Sequence, residues 1–433
     1  MRTVKKYPFS LNEAAKNRLL LWAQQFEEVV WLDSNTYLQK HQTFQAILAV
    51  DAFTALKTDT QNAFDKLKEY QTTTADWLFG YLSYDLKNDV EKLKSSNFDG
   101  LNFPDLYFFQ PKRLFLFSEE NVEIQYLNMV SDELEADWKT ISELIFKPDE
   151  AETTETTRIN ARTSKDSYIQ KVNETLEHIK RGDIYEANIC QEFYTEASEI
   201  NPLETFLQLN KISKPPFSVF LKLNEVYALS ASPERYIKRT GNSLISQPIK
   251  GTAKRLQNEA DDLEMAQQLA EDPKERSENI MITDLVRNDL SRIAEKGSVT
   301  VEELCGIYTF EQVHQMISTV SCTVPQNTSS VEILRNTFPM GSMTGAPKIS
   351  AMKIIEDIED AKRGLYSGAI GYFSPSGDFD FNVVIRSILY NSKKEYISFS
   401  VGSAITIDSI PEKEYEECLL KAKAMREVLN SSL

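Results

Sequence analysis

Two hairpin signals constrain the fold of this chain more than any other feature. Residues 236–249 contain two strand-like runs around Gly241-Asn242, and residues 369–373 and 379–389 flank a Pro-Ser-Gly-Asp turn. Short turns of this composition join antiparallel neighbours, whereas parallel strands need a long crossover connection. Helical periodicity appears over 164–181, where Gly182 follows, but no regular strand–helix–strand order is visible. The pattern therefore predicts an α+β fold with antiparallel sheets.

One segment breaks the alternation of strands and helices. Residues 148–164 read PDEAETTETTRINARTS, with almost no apolar side chains and no periodicity. Such a segment buries too little apolar surface to offset the entropy lost on ordering. We interpret it as a linker or exposed loop, which divides the chain of 433 residues into parts at 1–147 and 165–433.

The charge balance excludes several classes of partner. Lys and Arg number 48 and Asp and Glu number 65, which gives a formal charge of −17. Nucleic acids and anionic membranes both require a basic footprint, so neither is expected as a partner. The longest apolar run behind the N-terminal basic residues, 19–23, is too short for a signal peptide, and no segment approaches the roughly 18 apolar residues of a spanning helix. We expect a soluble cytoplasmic protein.

The four cysteines are isolated in the sequence. They form no CxxC pair, which argues against a zinc ribbon and against a thioredoxin-type redox pair. None lies in a G-x-C-x-G turn, the setting that a glutaminase nucleophile of the usual type needs.

Two pairs of glutamates have helical spacing. Glu275 and Glu278 are three residues apart, as are Glu414 and Glu417, so each pair shares one face of its predicted helix. Four carboxylates that converge could hold Mg²⁺ together with water and substrate oxygens. Two solvated acidic faces are the alternative, and spacing alone favours that alternative.

Lys250 and Glu234 form a second candidate pair. A three-residue loop at 241–243 would pair Thr240 with Leu244 and place Glu234 opposite Lys250, whereas a two-residue loop would put them on opposite faces. The pair could be an acid beside a nucleophile or a surface ion pair, and spacing alone favours the ion pair. A free lysine, with a pKa of ~10.4, is neutral about once in 2,500 molecules at pH 7. A nucleophilic Lys250 would therefore need a lowered pKa.

Three further features concern anions and proton transfer. Residues 338–348, FPMGSMTGAPK, form a Gly-rich loop that runs into a predicted helix at 347–358, which is a typical anion site but no nucleotide P-loop. Residues 402–404 are small and offer a second backbone anion site. His314 lies in a partly apolar run, which is more typical of a core histidine than of a catalyst.

Taken together, these segments resemble the chorismate-utilising enzymes. The motifs occur in a specific order and spacing: SPERY at 232–236, PIKGT at 248–252, KERSEN at 274–279, DLVRNDLSRI at 284–293, GSVTVEEL at 297–304, His314, GSMTGAPK at 341–348, GAIGYFSPSGDFD at 368–380, Ile385-Arg386 and DSIPEKEYEECLLKAKA at 408–424. The resemblance covers roughly 165–427 and is nearest to the aminodeoxychorismate synthase branch. The first 147 residues resemble the N-terminal subdomain of the family only loosely.

The resemblance implies two layered antiparallel sheets with helices outside and a Mg²⁺-dependent site for chorismate. By motif match it assigns Glu278 and Glu417 to the metal, with Glu275 and Glu414 completing the cage through water. It assigns further residues to substrate binding and to the reacting ring: Thr252, Tyr372, Arg386, Gly402, Lys421, His314 and Thr344. The cations among them would bind a dianion despite the net charge of the chain.

Two positions bear on the branch of the family. The aminodeoxychorismate enzymes use the lysine at position 250 as a nucleophile on C2, with an acid or base at position 234, whereas anthranilate synthases have alanine in place of Lys250. Glu186 lies where isochorismate and salicylate synthases carry a lysine and where aminating enzymes commonly carry glutamine, so its role stays open.

The resemblance implies amination of chorismate at C4, towards para-aminobenzoate and folate. Because the chain has no glutaminase motif, the ammonia would come from a separate glutamine amidotransferase subunit. Anthranilate synthase is the nearest alternative, isochorismate or salicylate synthase is a weaker one, and a catalytically inactive binding subunit is the alternative from another class.

Overall fold

The computed structural model describes residues 1–35, 37, 40–146, 159–311 and 313–432. The strands of the described residues are β1 Arg2–Pro8, β2 Glu28–Asp33, β3 Ala46–Thr58, β4 Leu78–Leu82, β5 Leu106–Phe117, β6 Asn121–Leu127, β7 Asn160–Ala161, β8 Glu186–Thr195, β9 Phe217–Leu223, β10 Val226–Ser232, β11 Arg235–Thr240, β12 Ser243–Gln247, β13 Ile249–Lys254, β14 Thr300–Thr309, β15 Val313–Thr323, β16 Gly345–Ala346, β17 Ala369–Phe373, β18 Phe379–Asn382, β19 Ser387–Asn391 and β20 Tyr396–Ile405. The α-helices are α1 Glu13–Ala23, α2 Ala63–Thr74, α3 Lys87–Val90, α4 Leu134–Glu143, α5 Lys165–Arg181, α6 Pro202–Ser213, α7 Glu259–Glu271, α8 Pro273–Ser291, α9 Ser330–Thr337, α10 Lys348–Ile358 and α11 Pro411–Ser432. Short 3₁₀ helices lie at Tyr84–Leu86, Asn128–Glu133 and Gly341–Met343.

The strands form two antiparallel layers that share β5. One layer runs β1-β6-β5-β3-β2-β9-β10-β19-β20-β8. The other runs β5-β4-β17-β18-β11-β12-β15, with β13 and β14 also paired to β15. Strand β5 belongs to both because residues 106–109 pair with β4 and residues 113–117 pair with β6.

Two apolar cores follow from the alternation of side chains along the strands. In β2, Val30 joins a core that contains residues of both layers, whereas Val29 and Trp31 join a second core beneath α1, α4, α5, α6, α10 and α11. Alternate residues of a strand point to opposite faces, so one strand supplies both cores. The predicted class, an α+β fold with two antiparallel layers and helices outside, is confirmed.

Most predicted elements occur with small shifts at their ends. Helix α5 begins after Ser164, whose side chain accepts a hydrogen bond from the Ser167 backbone N–H, and ends at Gly182 with φ +82°. The predicted strand at 379–389 is wrong as a single strand. It divides into β18 and β19, and Arg386 in the break has φ +51°, a conformation that cannot continue an extended strand.

The predicted linker at 148–164 can be compared with the structure only in part. Residues 148–158 lie outside the described residues, and 159–164 include β7, which pairs with β8. Strands from the two predicted parts pair with each other, as β2 with β9 and β4 with β17, and the division into domains stays a prediction. No helix in the described ranges has the length and apolar character needed to cross a membrane.

Candidate active site

Glu234 lies at the junction of β10 and β11 and is buried. Its backbone N–H donates to Ser232 Oγ at 3.2 Å, and its carbonyl accepts from the Val383 N–H at 3.0 Å, so the main chain is fixed on both sides. Burial raises the pKa of the Glu234 carboxyl to about 7, although a hydrogen bond with Ser342 and the charge of Lys250 oppose that rise. This carboxyl can therefore donate or accept a proton near neutral pH.

The hairpin between β11 and β12 has a two-residue loop, so the predicted three-residue register is wrong. Thr240 pairs with Ser243, and Gly241 takes up the left-handed conformation with φ +60° that such a loop requires. Strand β12 ends at Gln247, directly before Pro248, which has no N–H to continue the ladder.

Lys250 reaches Glu234 by another route. It belongs to β13, which pairs with β15 and not with β11. The charges of Lys250 and Glu234 still act on each other's pKa, so the two side chains share one electrostatic environment. The cross-strand pairing predicted for the acid and the amine is wrong, and their action as a catalytic pair stays a prediction.

Glu186 is the closest acidic partner of Lys250. Its Oε1 lies 3.3 Å from the Lys250 Nζ, and its other carboxylate oxygen is buried without a hydrogen-bond partner. Glu186 opens β8, where its backbone pairs with Ala346 of the Gly-rich loop. The role of Glu186 was open in the sequence analysis, because only the fold brings β8 and β13 together.

The pKa of Lys250 is raised in this environment. Burial alone would lower it, but the negative charges of Glu186 and Glu278 outweigh the desolvation. The expectation of a lowered pKa is therefore wrong for this arrangement, and the amine is held as an ammonium group.

The two predicted glutamate pairs lie on α8 and α11, and Lys274 lies between the helices. The Lys274 Nζ is 3.6 Å from Glu278 Oε1 and 3.6 Å from Glu414 Oε1, so one cation already contacts both carboxylates. The charge of Glu417 acts on the pKa of Glu275. Burial raises the pKa of Glu278 to about 7 despite Lys250 and Lys274.

These carboxylates fit a hard divalent cation in their chemistry. Glu278 Oε1 is buried without a hydrogen-bond partner, and carboxylate oxygens are the ligands that Mg²⁺ prefers. Glu414 accepts a hydrogen bond from Ser403, and Glu417 pairs with Lys421 at 2.6 Å. In the described ranges no three His, Cys, Asp or Glu side chains are grouped closely enough to hold a metal ion. The carboxylates are thus of the chemical type that binds Mg²⁺. The Lys274 ammonium group occupies the position between Glu278 and Glu414 where a shared cation would lie.

Two positively charged residues, Arg386 and Lys421, are the predicted binding groups for the substrate carboxylates. Arg386 has no carboxylate within 4 Å among the residues that the structure describes, and burial lowers the pKa of its guanidinium. The Lys421 Nζ donates to the Gly402 carbonyl at 2.9 Å. A half-buried guanidinium without a carboxylate partner can bind an anion, and Arg favours carboxylates.

Tyr372 does not lie with these cations. Its ring packs against Trp77 at 5.7 Å and Phe79 at 5.9 Å, in a cavity between β2 and β17. Tyr366 is better placed, because its hydroxyl is 3.7 Å from Cys190 Sγ, and Cys190 pairs with Gly402. Both tyrosines flank the same Gly-rich segment, Ser367 to Gly371, so the sequence pattern could not decide between them.

The remaining predicted residues are Thr344, His314 and Thr252. The Thr344 carbonyl accepts from the Asn188 N–H at 2.8 Å, and β13, which carries Lys250 and Thr252, pairs with the strand of His314. Thr344 is buried, and its Oγ1 donates to the Gly341 carbonyl at 3.1 Å. His314 has both ring nitrogens engaged, one with Thr309 Oγ1 and one with Asp262 Oδ1, each at 3.0 Å. Thr252 is exposed. The roles assigned to these three residues stay predictions.

The Gly-rich loop serves to support the site. Lys348 at its end is buried and donates to Asp289 Oδ2 at 2.5 Å, and the loop residue Gly345 lies so close to the Glu186 carbonyl that a Cβ would be 2.1 Å from it. The loop therefore fixes the strand that carries Glu186.

The arrangement combines three kinds of chemistry in one buried region. Glu234 has a carboxyl group with a pKa of about 7, and Lys250 has an amine beside the Glu186 carboxylate. Arg386 has no carboxylate partner among the described residues, and Lys421 donates to a backbone carbonyl. Such a site suits a small dianionic substrate, proton transfer and nucleophilic attack by nitrogen.

Comparison with known proteins shows which family the chain resembles. The chain is 31% identical over 395 residues to "Aminodeoxychorismate synthase component 1" of Bacillus subtilis, which covers 88% of this chain and 81% of the relative. It is 33% identical over 367 residues to "Anthranilate synthase component I-like protein" of Synechocystis, which covers 84% of this chain and 74% of the relative.

Solved structures show the same fold. Anthranilate synthase component I from Streptococcus pneumoniae superposes with a TM-score of 0.75 at 25% identity, over 90% of this chain and 95% of that one. MenF, an isochorismate synthase from Escherichia coli, has a TM-score of 0.78 at 17% identity, over 99% of this chain and 95% of that one. Residues 15–427 match the family described as "chorismate binding enzyme". The chain therefore belongs to the chorismate binding enzymes.

Proposed function

We propose that the protein is an aminodeoxychorismate synthase component I, which converts chorismate and ammonia to 4-amino-4-deoxychorismate. The observation that carries this proposal is the buried amine of Lys250, which lies 3.3 Å from Glu186 and interacts with Glu234. An enzyme in which ammonia attacks C2 directly needs no lysine at this position. Relatives with the aminodeoxychorismate name are 31% to 39% identical to this chain.

In the proposed reaction Lys250 first loses its proton to solvent, and the neutral amine attacks C2 of chorismate. The ring double bonds shift, the C4–O bond breaks, and Glu234 protonates the leaving hydroxyl, which departs as water. Ammonia then attacks C4, the C2–N bond breaks with its electron pair on Lys250, and Glu234 takes the excess proton. The pKa of about 7 suits Glu234 to both transfers.

Substrate binding would use the charged residues around the cluster. Arg386 and Lys421 would bind the substrate carboxylates, with Tyr366 nearby. Glu278 and Glu417, with Glu275 and Glu414 completing the site through water, would hold Mg²⁺. The ion would supply positive charge to a carboxylate of the substrate and so to its ring.

The ammonia would be delivered by a separate glutamine amidotransferase subunit. All four cysteines are buried and free, and burial raises the pKa of each thiol, so none has the reactive thiolate of a glutaminase. The name "component 1" of the relatives is in line with a second component.

Anthranilate synthase is the second candidate, because relatives with that name match nearly as well. Identification of the product from chorismate, Mg²⁺ and an ammonium salt separates the two functions. We expect 4-amino-4-deoxychorismate, and anthranilate with pyruvate as the main products would refute the proposal.

A further inference from the structure

A small cavity lies against Glu234, and Lys250 is not among its lining residues. Its volume is about 20 Å³, which is enough for one molecule of the size of water. Its polar lining comes from Glu234, Arg235, Tyr236, Ser246, Asp289, Thr337 and Ser342. The Arg235 guanidinium is engaged by Asp380 and Gln247.

Asp289 offers this cavity an unused acceptor. The residue is 4% exposed, and its Oδ2 accepts from the Lys348 Nζ at 2.5 Å, while its Oδ1 is buried without a hydrogen-bond partner. Lys348 cannot serve both oxygens easily, because it also donates to the carbonyls of Thr337 and Pro339 at 3.1 and 2.8 Å. A buried acceptor of this kind is costly unless a ligand satisfies it.

Among the polar groups that line the cavity, free hydrogen-bond acceptors outnumber free donors. Ser246 Oγ already donates to the Tyr236 carbonyl at 2.6 Å, and Thr337 Oγ1 is engaged with the Tyr236 hydroxyl at 2.6 Å. Glu234 contributes a carboxyl group and Asp289 an unpaired oxygen. The cavity is therefore complementary to a very small molecule that donates several hydrogen bonds.

We propose that this cavity binds the ammonia that the reaction consumes, which extends the function proposed above. Neutral ammonia fits better than ammonium, because Lys348 already neutralises Asp289 and an added cation would face it. The ammonia donates to Asp289 Oδ1 and to Glu234. The ammonia leaves the cavity past Glu234 and reaches C4, where its lone pair forms the C4–N bond as the C2–N bond to Lys250 breaks, and Glu234 accepts the proton released.

Two variants test the site in the full chain, with ammonia varied at saturating chorismate and Mg²⁺. In Asp289→Asn the amide oxygen still accepts a hydrogen bond from Lys348, and the amide NH₂ group points into the cavity as a donor. Val286→Ile fills part of the cavity and leaves the ion pair of Asp289 and Lys348 unchanged. We expect each to raise the KM for ammonia about tenfold, the cost of one lost hydrogen bond to a charged group. The KM for chorismate should change less than twofold, and the Lys250 adduct formed without ammonia should persist. Val172→Ile, an enlargement in the other core, is the matched control and should change neither KM.

A binding measurement keeps this inference separate from the proposed function. Ammonium chloride at alkaline pH should raise the unfolding temperature of the parent above that in equal potassium chloride, and Val286→Ile should remove the difference. If the parent forms no aminodeoxychorismate but retains this difference, the function fails and the cavity still binds ammonia. An unchanged KM for ammonia in both variants, or no stabilisation by ammonia in the parent, would mean that the cavity holds only water. If potassium ions inhibited the reaction competitively with ammonia, the cavity would bind a cation, and the proposal that its ligand is neutral ammonia would be wrong.

Discussion

The Nζ atom of Lys250 lies 3.3 Å from the Oε1 atom of Glu186, in a pair whose acid is 1% exposed. Burial of Lys250 favours the neutral amine, but the charge of Glu186 reverses that preference and raises the pKa. The pair holds the proposed nucleophile in place and keeps it protonated in the free protein. A lysine at position 186, as in the water-adding branch of the family, would bring two ammonium groups together.

Replacing Glu186 by glutamine should lower the pKa of Lys250. The amide keeps the shape of the side chain and removes the charge that opposes desolvation. The pH dependence of Lys250 acylation, followed by mass spectrometry of the peptide that contains it, measures the change. Each unit of lowered pKa should increase acylation at neutral pH about tenfold.

Glu192→Gln is the matched control for this prediction. Glu192 lies on the same strand and is buried, but it pairs with Arg162 and makes no ion pair with Lys250. Its replacement should leave the acylation profile of Lys250 unchanged. Equal shifts in both variants would show that the effect comes from altered strand packing.

Glu234 and Lys250 together should set the pH dependence of adduct formation in the absence of ammonia. The reaction requires protonated Glu234, with a pKa of about 7, and neutral Lys250, with a raised pKa. Below pH 7 Glu234 stays protonated and the neutral amine increases tenfold per pH unit. Above pH 7 the loss of protonated Glu234 cancels that gain, so the rate should level off.

Quenched single-turnover mass spectrometry of the Lys250 peptide checks this profile. A rate that keeps rising tenfold per unit well above pH 7 would show that Glu234 is not the acid.

Replacing Glu278 by glutamine should weaken Mg²⁺ binding by at least about tenfold, because it removes one negative ligand from a hard-cation site. Isothermal titration with Mg²⁺ measures the affinity without reference to activity, and circular dichroism checks the fold. Equal Mg²⁺ affinity in the variant and the parent would show that Glu278 is not a metal ligand and that the acidic face of α8 is only solvated.

Lys274→Gln provides the opposite change at the same site. The Lys274 ammonium contacts both Glu278 and Glu414, so it competes with a metal for these carboxylates. Its removal should strengthen Mg²⁺ binding by a few-fold only, since the side chain is 45% exposed and partly screened.

Alternation and turn residues predicted the α+β class with antiparallel sheets because these are local signals, whereas the two layers were implied by the family resemblance. The prediction from sequence failed where backbone conformation changes within a segment, as at Arg386, which divides the expected strand at 379–389. It also failed at the β11–β12 loop, where a difference of one residue in loop length changes the register.

In the site, the glutamate pairs and Lys250 could be found from spacing and motif order. Glu186, the unpaired oxygen of Asp289 and the choice of Tyr366 over Tyr372 could not, because each depends on a contact between strands or helices distant in sequence.

Lys250→Ala should abolish amination at C4, since it removes the nucleophile for C2. Residual turnover should shift to direct attack of ammonia on C2, giving aminodeoxyisochorismate or traces of anthranilate. Chromatography of the products from chorismate and ammonium salt, with Mg²⁺, measures this. Full C4 amination by the variant, without a covalent adduct in the parent, would leave Lys250 as an ion-pair residue.

Gly402→Ala should destabilise the protein by about 1–3 kcal/mol through overpacking. A Cβ at this position would lie 2.5 Å from Cys190 Sγ and 2.6 Å from Asn188 Oδ1. Urea unfolding measures the loss, and Cys190→Ala in the same chain should recover part of it. A fully stable Gly402→Ala variant would show that β8 and β20 can separate without cost.

The pairing of β2 with β9 and of β4 with β17 has a consequence for any shortened form of the chain. A fragment that begins at residue 165 would lose both partners and expose the N–H and C=O groups along one edge of each layer. Exposed edges of this kind recruit strands from other molecules. The motif-bearing portion, expressed by itself, should therefore self-associate and precipitate, and the first 147 residues act as the intramolecular cover that keeps it monodisperse.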